Sequence, residues 1–110
     1  MEKLSNPQKT IEVIQKYSFY FQKKFGQNFL IDAHVLNKII AAAGITKDDF
    51  VLEIGPGIGT MTQYLAEAAR EVTAVEIDRN LIPILQETLA EYDNVTILNQ
   101  DILKTDIAAI

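Results

Sequence analysis

Three glycines alternate along Gly55-Pro56-Gly57-Ile58-Gly59, between a short apolar run and a segment with helical periodicity. The apolar run, residues 50–54, is typical of a strand that is buried on both faces. Glycine permits positive φ and lets a ligand approach the backbone, and a helix that starts near Thr60 directs free N–H groups at the loop. The pattern predicts strand, loop and helix around a ligand, and the alternative is a tight turn that needs glycine only for packing.

Strand and helix patterns alternate along the rest of the chain. The predicted elements are helices at about 7–16, 33–43, 60–69 and 79–89 and strands at 50–54, 71–75 and 95–98. Because crossovers between parallel strands are right-handed, the order predicts an α/β fold with three parallel strands in the order 3-2-1 and flanking helices. We divide the chain into an amino-terminal helix with a basic and aromatic arm (1–31) and a βαβαβ half-domain (32–110).

The apolar spacing also predicts which helix faces point inward. In the helix that Asp32 would cap, the apolar face is Val35, Leu36, Ile39 and Ile40. In the helix after the glycine loop, the inward residues are Met61, Tyr64, Leu65 and Ala68.

Polar residues follow all three predicted strands at their carboxyl ends, where open parallel sheets bind ligands. Glu53 and the glycine loop end the first strand, Glu76 the second and Asp101 the third. The glycine spacing is G-x-G-x-G rather than the dinucleotide pattern G-x-G-x-x-G, and Glu53 would repel a pyrophosphate but attract an ammonium group. The loop therefore favours a ligand with a zwitterionic amino-acid end.

The acidic residues after the second and third strands differ in how specifically they indicate a contact with a ligand. Glu76 is placed to accept hydrogen bonds from two ribose hydroxyls, with a solvated strand-end acid as the alternative. Asp101 either accepts from an adenine amino group or serves as a turn or cap residue. Asp78 is interpreted as a helix cap.

Charge is distributed unevenly between the two ends of the chain. Residues 1–31 hold five lysines against two glutamates, a net of +3, whereas residues 51–110 have a net of −7 from three cations and ten carboxylates. The whole chain, at −5, is unlike a nucleic-acid binder, yet Lys23 and Lys24 with nearby aromatics form a local patch. That patch either contacts RNA by phosphate pairing and stacking or is a solvated basic segment whose aromatics pack over the sheet.

Several kinds of site and location are not indicated. His34 is the single histidine of the sequence and is interpreted as structural or surface, and neither a metal cluster nor a nucleophile–base pair is visible in the sequence. Cysteine is absent, which excludes disulfides and thiolate metal sites. The sequence shows neither a signal peptide nor an apolar stretch that could cross a membrane, and we expect a cytoplasmic protein.

Four motifs together resemble the KsgA/RsmA family of ribosomal RNA adenine N6-dimethyltransferases. They are Lys24-Phe25-Gly26-Gln27-Asn28-Phe29-Leu30-Ile31-Asp32, Leu52-Glu53-Ile54-Gly55-Pro56-Gly57-Ile58-Gly59-Thr60, Val75-Glu76-Ile77-Asp78 and Gln100-Asp101-Ile102-Leu103. The resemblance runs from about residue 12 to the end, and the amide-rich first motif is the most specific. Macrolide-resistance rRNA methylases share the layout, but the Gly-Pro-Gly loop is more similar to KsgA.

The resemblance implies a Rossmann-like class I methyltransferase half-fold that binds S-adenosyl-L-methionine. Asn28 and Leu30 would line the methionine end, where the loop glycines Gly55, Gly57 and Gly59 contribute backbone contacts. Glu76 would hold the ribose, Asp101 the adenine amino group and Glu53 the methionine ammonium. The parent family acts on small-subunit ribosomal RNA in ribosome biogenesis.

The sequence departs from the family pattern after Asp101. The family's Asn-Leu-Pro-Tyr motif after strand 4, which holds the target adenine, is not present, nor are the later strands and the carboxyl-terminal domain. We therefore expect no catalytic or metal-binding residue here, and a fragment that binds cofactor without methylating rRNA alone. The first strand would become a sheet edge, which predicts self-association, for example as a homodimer that joins two half-sheets.

Three other functions compete with this one. They are a binding-only module for an adenosine or nucleotide ligand, a large-subunit rRNA methylase of the macrolide-resistance type, and a fragment of a nicotinamide-dependent oxidoreductase. The glycine spacing and Glu53 disfavour the last.

Overall fold

The computed structural model describes residues 3–16 and 33–110. The helices are α1 (Pro7–Lys16), α2 (Ala33–Ala43), α3 (Thr60–Ala68) and α4 (Ile82–Thr88), and the strands are β1 (Phe50–Ile54), β2 (Glu71–Glu76) and β3 (Val95–Asn99). Short 3-10 turns span Arg79–Leu81, Ile102–Lys104 and Ile107–Ala109. The predicted elements are confirmed, except that the helix before β3 begins as a 3-10 turn. The predicted cap at Asp32 lies outside the described residues.

The three strands form one parallel sheet in the order β1-β2-β3, which is the predicted order 3-2-1 read from the other edge. Phe50 pairs with Glu71, and Val72 pairs with Val95. Because every strand runs in the same direction, the carboxyl ends of all three meet at one end of the sheet. This arrangement confirms the α/β half-fold.

One face of the sheet is covered by α3 and α4. Val51, Val72 and Val95 share this face by register and pack with the α3 side chains. Ile97 on the same face packs against the cluster that contains Leu85 of α4. Two right-handed crossovers that advance in the same direction across a sheet place their helices on the same side, which explains why both lie here.

The prediction that the first strand is buried on both sides is wrong for the opposite face of the sheet. Phe50 and Ile54 lie on this face and are 70% and 59% exposed. Among the described elements, α3 and α4 lie on the other face, and no strand pairs with the outer edge of β1. The 3-10 turn Ile107–Ala109 lies beside this face and lines a groove with Phe50, Leu52 and Thr73. β1 is therefore an edge strand in the described structure, as we predicted from the sequence.

Two predicted helix faces are also corrected in part. In α2 only Leu36 is fully buried and Ile40 is half-buried, because the helix packs against α3 while Val35 and Ile39 remain exposed. In α3 the prediction of Leu65 is confirmed, but Met61, Tyr64 and Ala68 are only half-buried. The buried residues of α3 are Thr60, Thr62, Gln63, Leu65 and Ala66.

The amino-terminal segment packs into the core of the rest of the molecule. Leu4 and Val13 are buried in the cluster that contains Leu85. Gln63 of α3, only 1% exposed, accepts a hydrogen bond from the Leu4 amide (2.8 Å) and donates one to the Thr88 carbonyl (2.9 Å). The division at residues 31 and 32 stays a prediction, and α1 shares a core with the half-domain.

Candidate functional site

The carboxyl ends of the strands bring together four of the predicted site positions. Beyond β1, the Gly55 amide donates to the Val75 carbonyl (2.9 Å), and beyond β3 the Gln100 amide donates to the Glu76 carbonyl (3.2 Å). These hydrogen bonds continue the sheet past its strands and place Gly55 and Gln100 on either side of the end of β2. Glu53, Gly55, Glu76 and Asp101 consequently occupy one end of the sheet. Asn28 and Leu30 lie outside the described residues.

The glycine loop contains two kinds of glycine. Gly55, Gly57 and Gly59 all have positive φ, at 70°, 63° and 97°, a conformation that other residues rarely adopt. A Cβ atom on Gly55 would meet nothing within 4 Å, whereas one on Gly59 would lie 2.9 Å from Thr88 Oγ1. Gly55 thus leaves open space above the backbone, and Gly59 permits close packing against α4. Whether each glycine contacts a ligand stays a prediction.

A buried threonine of α4 holds the loop in place. The Thr88 hydroxyl donates to the Ile58 carbonyl at 2.8 Å, and Thr88 is 2% exposed. The Ile58 side chain is buried in the same cluster as Leu85. The loop is therefore tied to α4 by both polar and apolar contacts, and its last glycine leads directly into α3.

Glu53 lies on the covered face of β1 and points to the start of α3. The Thr62 hydroxyl, on a residue that is 0% exposed, donates to Glu53 Oε1. Burial raises the pKa of the Glu53 carboxyl above its ordinary 4.5, and the hydrogen bond from Thr62 opposes this rise. A desolvated carboxylate with one neutral donor is suited to a cationic partner.

Glu76 is buried at the end of β2. It is 6% exposed, and its Oε2 accepts a hydrogen bond from the Asp78 amide at 3.0 Å. Asp78 in turn caps the 3-10 turn at Arg79–Leu81 by accepting from the Asn80 amide, which confirms that it is a cap residue. The backbone turn after β2 thus orients the Glu76 carboxylate.

Asp101 acts as a cap residue in this structure. Its Oδ1 accepts from the Leu103 amide at 2.9 Å, at the start of the turn Ile102–Lys104. Capping is one of the two interpretations that the sequence left open. The capping hydrogen bond occupies one oxygen of the Asp101 carboxylate. The proposed contact between Asp101 and an adenine amino group stays a prediction.

The lysines of the described amino-terminal segment pair with carboxylates. Lys3 Nζ lies 2.8 Å from Glu67, Lys9 lies 3.6 Å from Glu12, and Lys16 pairs with Glu87. Lys23, Lys24 and the neighbouring aromatics lie outside the described residues. His34 is exposed on α2, in agreement with a surface position.

Sequence reasoning missed the polar residues that support this end of the sheet, namely Thr62, Gln63 and Thr88. For Thr62 alone a usable signal was present, because residues 62, 66 and 69 recur at helical spacing and all three are buried. Within residues 3–16 and 33–110, no group of His, Asp and Glu is arranged for a metal ion. In those residues, every helix is too short or too polar to cross a bilayer.

Sequence comparison finds close relatives. Residues 18–110 match the family described as ribosomal RNA adenine dimethylase. The chain is 73% identical to ribosomal RNA small subunit methyltransferase A of Lachnoclostridium phytofermentans, covering 100% of this chain and 38% of that protein. It is 54% identical to the protein of the same name from Clostridioides difficile, covering 97% of this chain and 37% of that protein.

Solved structures show the same fold. The 23S rRNA methyltransferase ErmE superposes with a TM-score of 0.66 at 40% identity, over 72% of this chain and 32% of that one. A dimethyladenosine transferase from Plasmodium falciparum superposes with a TM-score of 0.63 at 35% identity, over 69% of this chain and 28% of that one. These likenesses confirm the class I methyltransferase half-fold.

The chain spans less than two fifths of the length of the curated relatives that it matches. Within that span, the family match covers the glycine loop and the three strand ends that form the candidate site. This chain belongs to the ribosomal RNA adenine dimethylase family.

Proposed function

We propose that this chain is the S-adenosyl-L-methionine-binding portion of an rRNA adenine N6,N6-dimethyltransferase. The observation that carries the proposal is the convergence of an open glycine loop with the Glu53, Glu76 and Asp101 carboxylates at one end of the sheet. Hydroxyl, amino and ammonium groups are the donors that carboxylates accept, and a nucleoside joined to an amino acid presents all three.

Each residue has a proposed part in holding the cofactor. Glu76, already oriented by the Asp78 amide, would accept from the ribose hydroxyls, and Asp101 from the adenine amino group. Gly55, with open space above it, would let the methionine end approach the backbone. Glu53 would face the ammonium group. The proposed set is completed by Gly57, Gly59, Asn28 and Leu30. When bound, the cofactor supplies an electrophilic methyl group on its sulfonium.

Small-subunit rRNA is the proposed substrate of the whole protein, in the cytoplasm during ribosome biogenesis. The relative from Lachnoclostridium phytofermentans carries a small-subunit name at 73% identity, whereas ErmE, named for 23S rRNA, is 40% identical. A chimera tests this choice. The first 110 residues of the Lachnoclostridium protein are replaced by this chain, and we expect adenine dimethylation of small-subunit rRNA. Methylation of 23S rRNA instead would contradict the proposal.

Cofactor binding is tested by calorimetry on the 110-residue chain. We expect binding of S-adenosylmethionine and S-adenosylhomocysteine but not of NAD. Glu76→Gln should weaken binding about tenfold, since a hydrogen bond to a charged group is lost. Glu71→Gln, at the exposed opposite end of β2, is the matched control. Equal affinity for NAD, or no effect of Glu76→Gln, would overturn the proposed site.

We also propose that the 110-residue chain self-associates through the outer edge of β1, for example as a homodimer. Its support is the exposure of Phe50 and Ile54 on an edge strand, since unpaired apolar edges are templates for strand pairing. Light scattering should show a mass that rises with concentration and that Ile54→Lys lowers. Leu103→Lys, at a side chain 91% exposed, is the control. A monomer at every concentration would contradict this proposal.

A further inference from the structure

The hydroxyl of Thr62 is directed away from its usual local partners. In a helix, a threonine hydroxyl commonly bonds the carbonyl three or four residues earlier. Here the Ile58 carbonyl already accepts from Thr88 (2.8 Å), and the Gly59 carbonyl accepts from the Gln63 amide (3.1 Å). Thr62 instead donates to Glu53, across from α3 to β1.

Among the described residues around Glu53, the Thr62 hydroxyl is the donor to its carboxylate. Ala74, the partner of Glu53 in β2, is apolar and buried, and the first turn of α3 carries no charged residue. The nearest charged residue of β2 on the same face is Glu76, itself a carboxylate. Within the described residues, burial raises the pKa of the Glu53 carboxyl, and the hydrogen bond from Thr62 lowers it in part. Without the hydroxyl, the carboxylate would lose its orientation.

We propose that Thr62 is a positioning residue that fixes the Glu53 carboxylate toward the ammonium group of the bound cofactor. This inference rests on the proposed function and deepens it, because it assigns recognition of the amino-acid end to a two-residue unit. Thr62 touches no reacting group. It acts through Glu53, and its own side chain is completely buried in the first turn of α3.

The first test needs no ligand and measures the pKa of the Glu53 carboxyl by NMR. Thr62→Val removes the hydroxyl at nearly constant shape, so the pKa of Glu53 should rise further, while Thr62→Ser should keep the wild-type pKa. Thr10→Val is the matched control, because Thr10 is also 0% exposed and its hydroxyl bonds the Leu4 carbonyl rather than Glu53. An unchanged pKa in Thr62→Val would overturn the proposal.

The second test uses two ligands that differ only in the ammonium group, S-adenosylhomocysteine and its deaminated analogue. Thr62→Val should weaken binding of S-adenosylhomocysteine about tenfold and leave the analogue unaffected, as expected when a charged partner is misplaced. Thr62→Ser should restore the affinity. Equal losses for both ligands would indicate general disruption and overturn the proposal.

Glu53→Gln keeps the test decisive if Thr62→Val does not fold. It should lower the affinity for S-adenosylhomocysteine and not for the analogue, and adding Thr62→Ala, which also lacks the hydroxyl, should change neither further. Equal binding of both ligands by Glu53→Gln would overturn the proposal. If the wild-type chain binds neither ligand, the proposed function fails, while the NMR measurement still decides whether Thr62 controls Glu53.

Discussion

The covered and open faces of the sheet arise from the same three strands but have opposite surroundings. On the covered face, Val72 is 1% exposed and α3 and α4 supply the polar residues that hold the candidate site. On the open face, Phe50 and Ile54 of β1 are 70% and 59% exposed, whereas Val75 of the central strand is 2% exposed. Strand alternation assigns residues to faces, but only the crossover helices decide which face is buried. Stability and site geometry should therefore depend on the covered face.

The largest difference between the faces is expected for apolar truncation. Leu85→Ala removes a side chain that is 0% exposed beneath the glycine loop, and should lower the free energy of unfolding by about 2–5 kcal/mol. Ile54→Ala on the open face should cost less than about 1 kcal/mol at low protein concentration. Urea denaturation measures both. Equal losses would show that the open face is also covered in solution.

The next largest effect is expected where the loop packs on α4. Gly59→Ala places a Cβ 2.9 Å from Thr88 Oγ1 at a φ of 97°, and should cost about 3 kcal/mol from backbone strain and overpacking together. Gly44→Ala has a similar φ of 67° with open space around it, and should cost only the strain, about 1–2 kcal/mol. Thermal unfolding compares the two, and identical costs would contradict the packing role.

A smaller effect is expected for the buried amide that joins three segments on the covered side. Gln63→Leu leaves the Leu4 amide and the Thr88 carbonyl without this partner, and should cost about 2 kcal/mol. Gln86→Leu, at an exposed position of α4, should change stability by less than about 0.5 kcal/mol. Denaturation curves in urea provide the measurement. A neutral Gln63→Leu would show that the amino-terminal segment is not anchored here.

The smallest effect concerns the pH dependence contributed by Glu53. Because burial raises its pKa in the folded state, the folded chain binds this proton more tightly than the unfolded chain. The contribution of Glu53 to the free energy of unfolding is fully present below the ordinary carboxyl pKa of 4.5. It is lost as the pH rises through the raised pKa of the folded state. Glu53→Gln should therefore gain stability relative to wild type at neutral pH and not at acidic pH. If the free energies of unfolding of Glu53→Gln and the wild type change with pH in parallel, this prediction is wrong.

Most of the fold was predictable because its signals are local. The positive φ of Gly55, Gly57 and Gly59 demands glycine, and short apolar runs between helical patterns predict parallel strands. The burial of Gln63 was not predictable in the same way. Its partners, Leu4 and Thr88, lie 59 and 25 positions away, and a glutamine in a helix is by composition a surface residue.

The candidate site shows the same division. Its carboxylates follow from where each strand ends, and Asp78 was predictable as a cap, but the choice of capping for Asp101 appears only in the local backbone after β3. The distinction between an open Gly55 and a packed Gly59 depends on α4, which approaches one glycine and not the other. No spacing rule along the chain contains that information.

By itself, the sequence determined the order of the elements, the glycine loop and the family, because each depends on residue types at short, regular spacing. The tertiary structure alone decided that Gly59 packs against Thr88 and that Thr62 meets Glu53. These outcomes depend on contacts between segments that are brought together only when the chain buries its apolar surface.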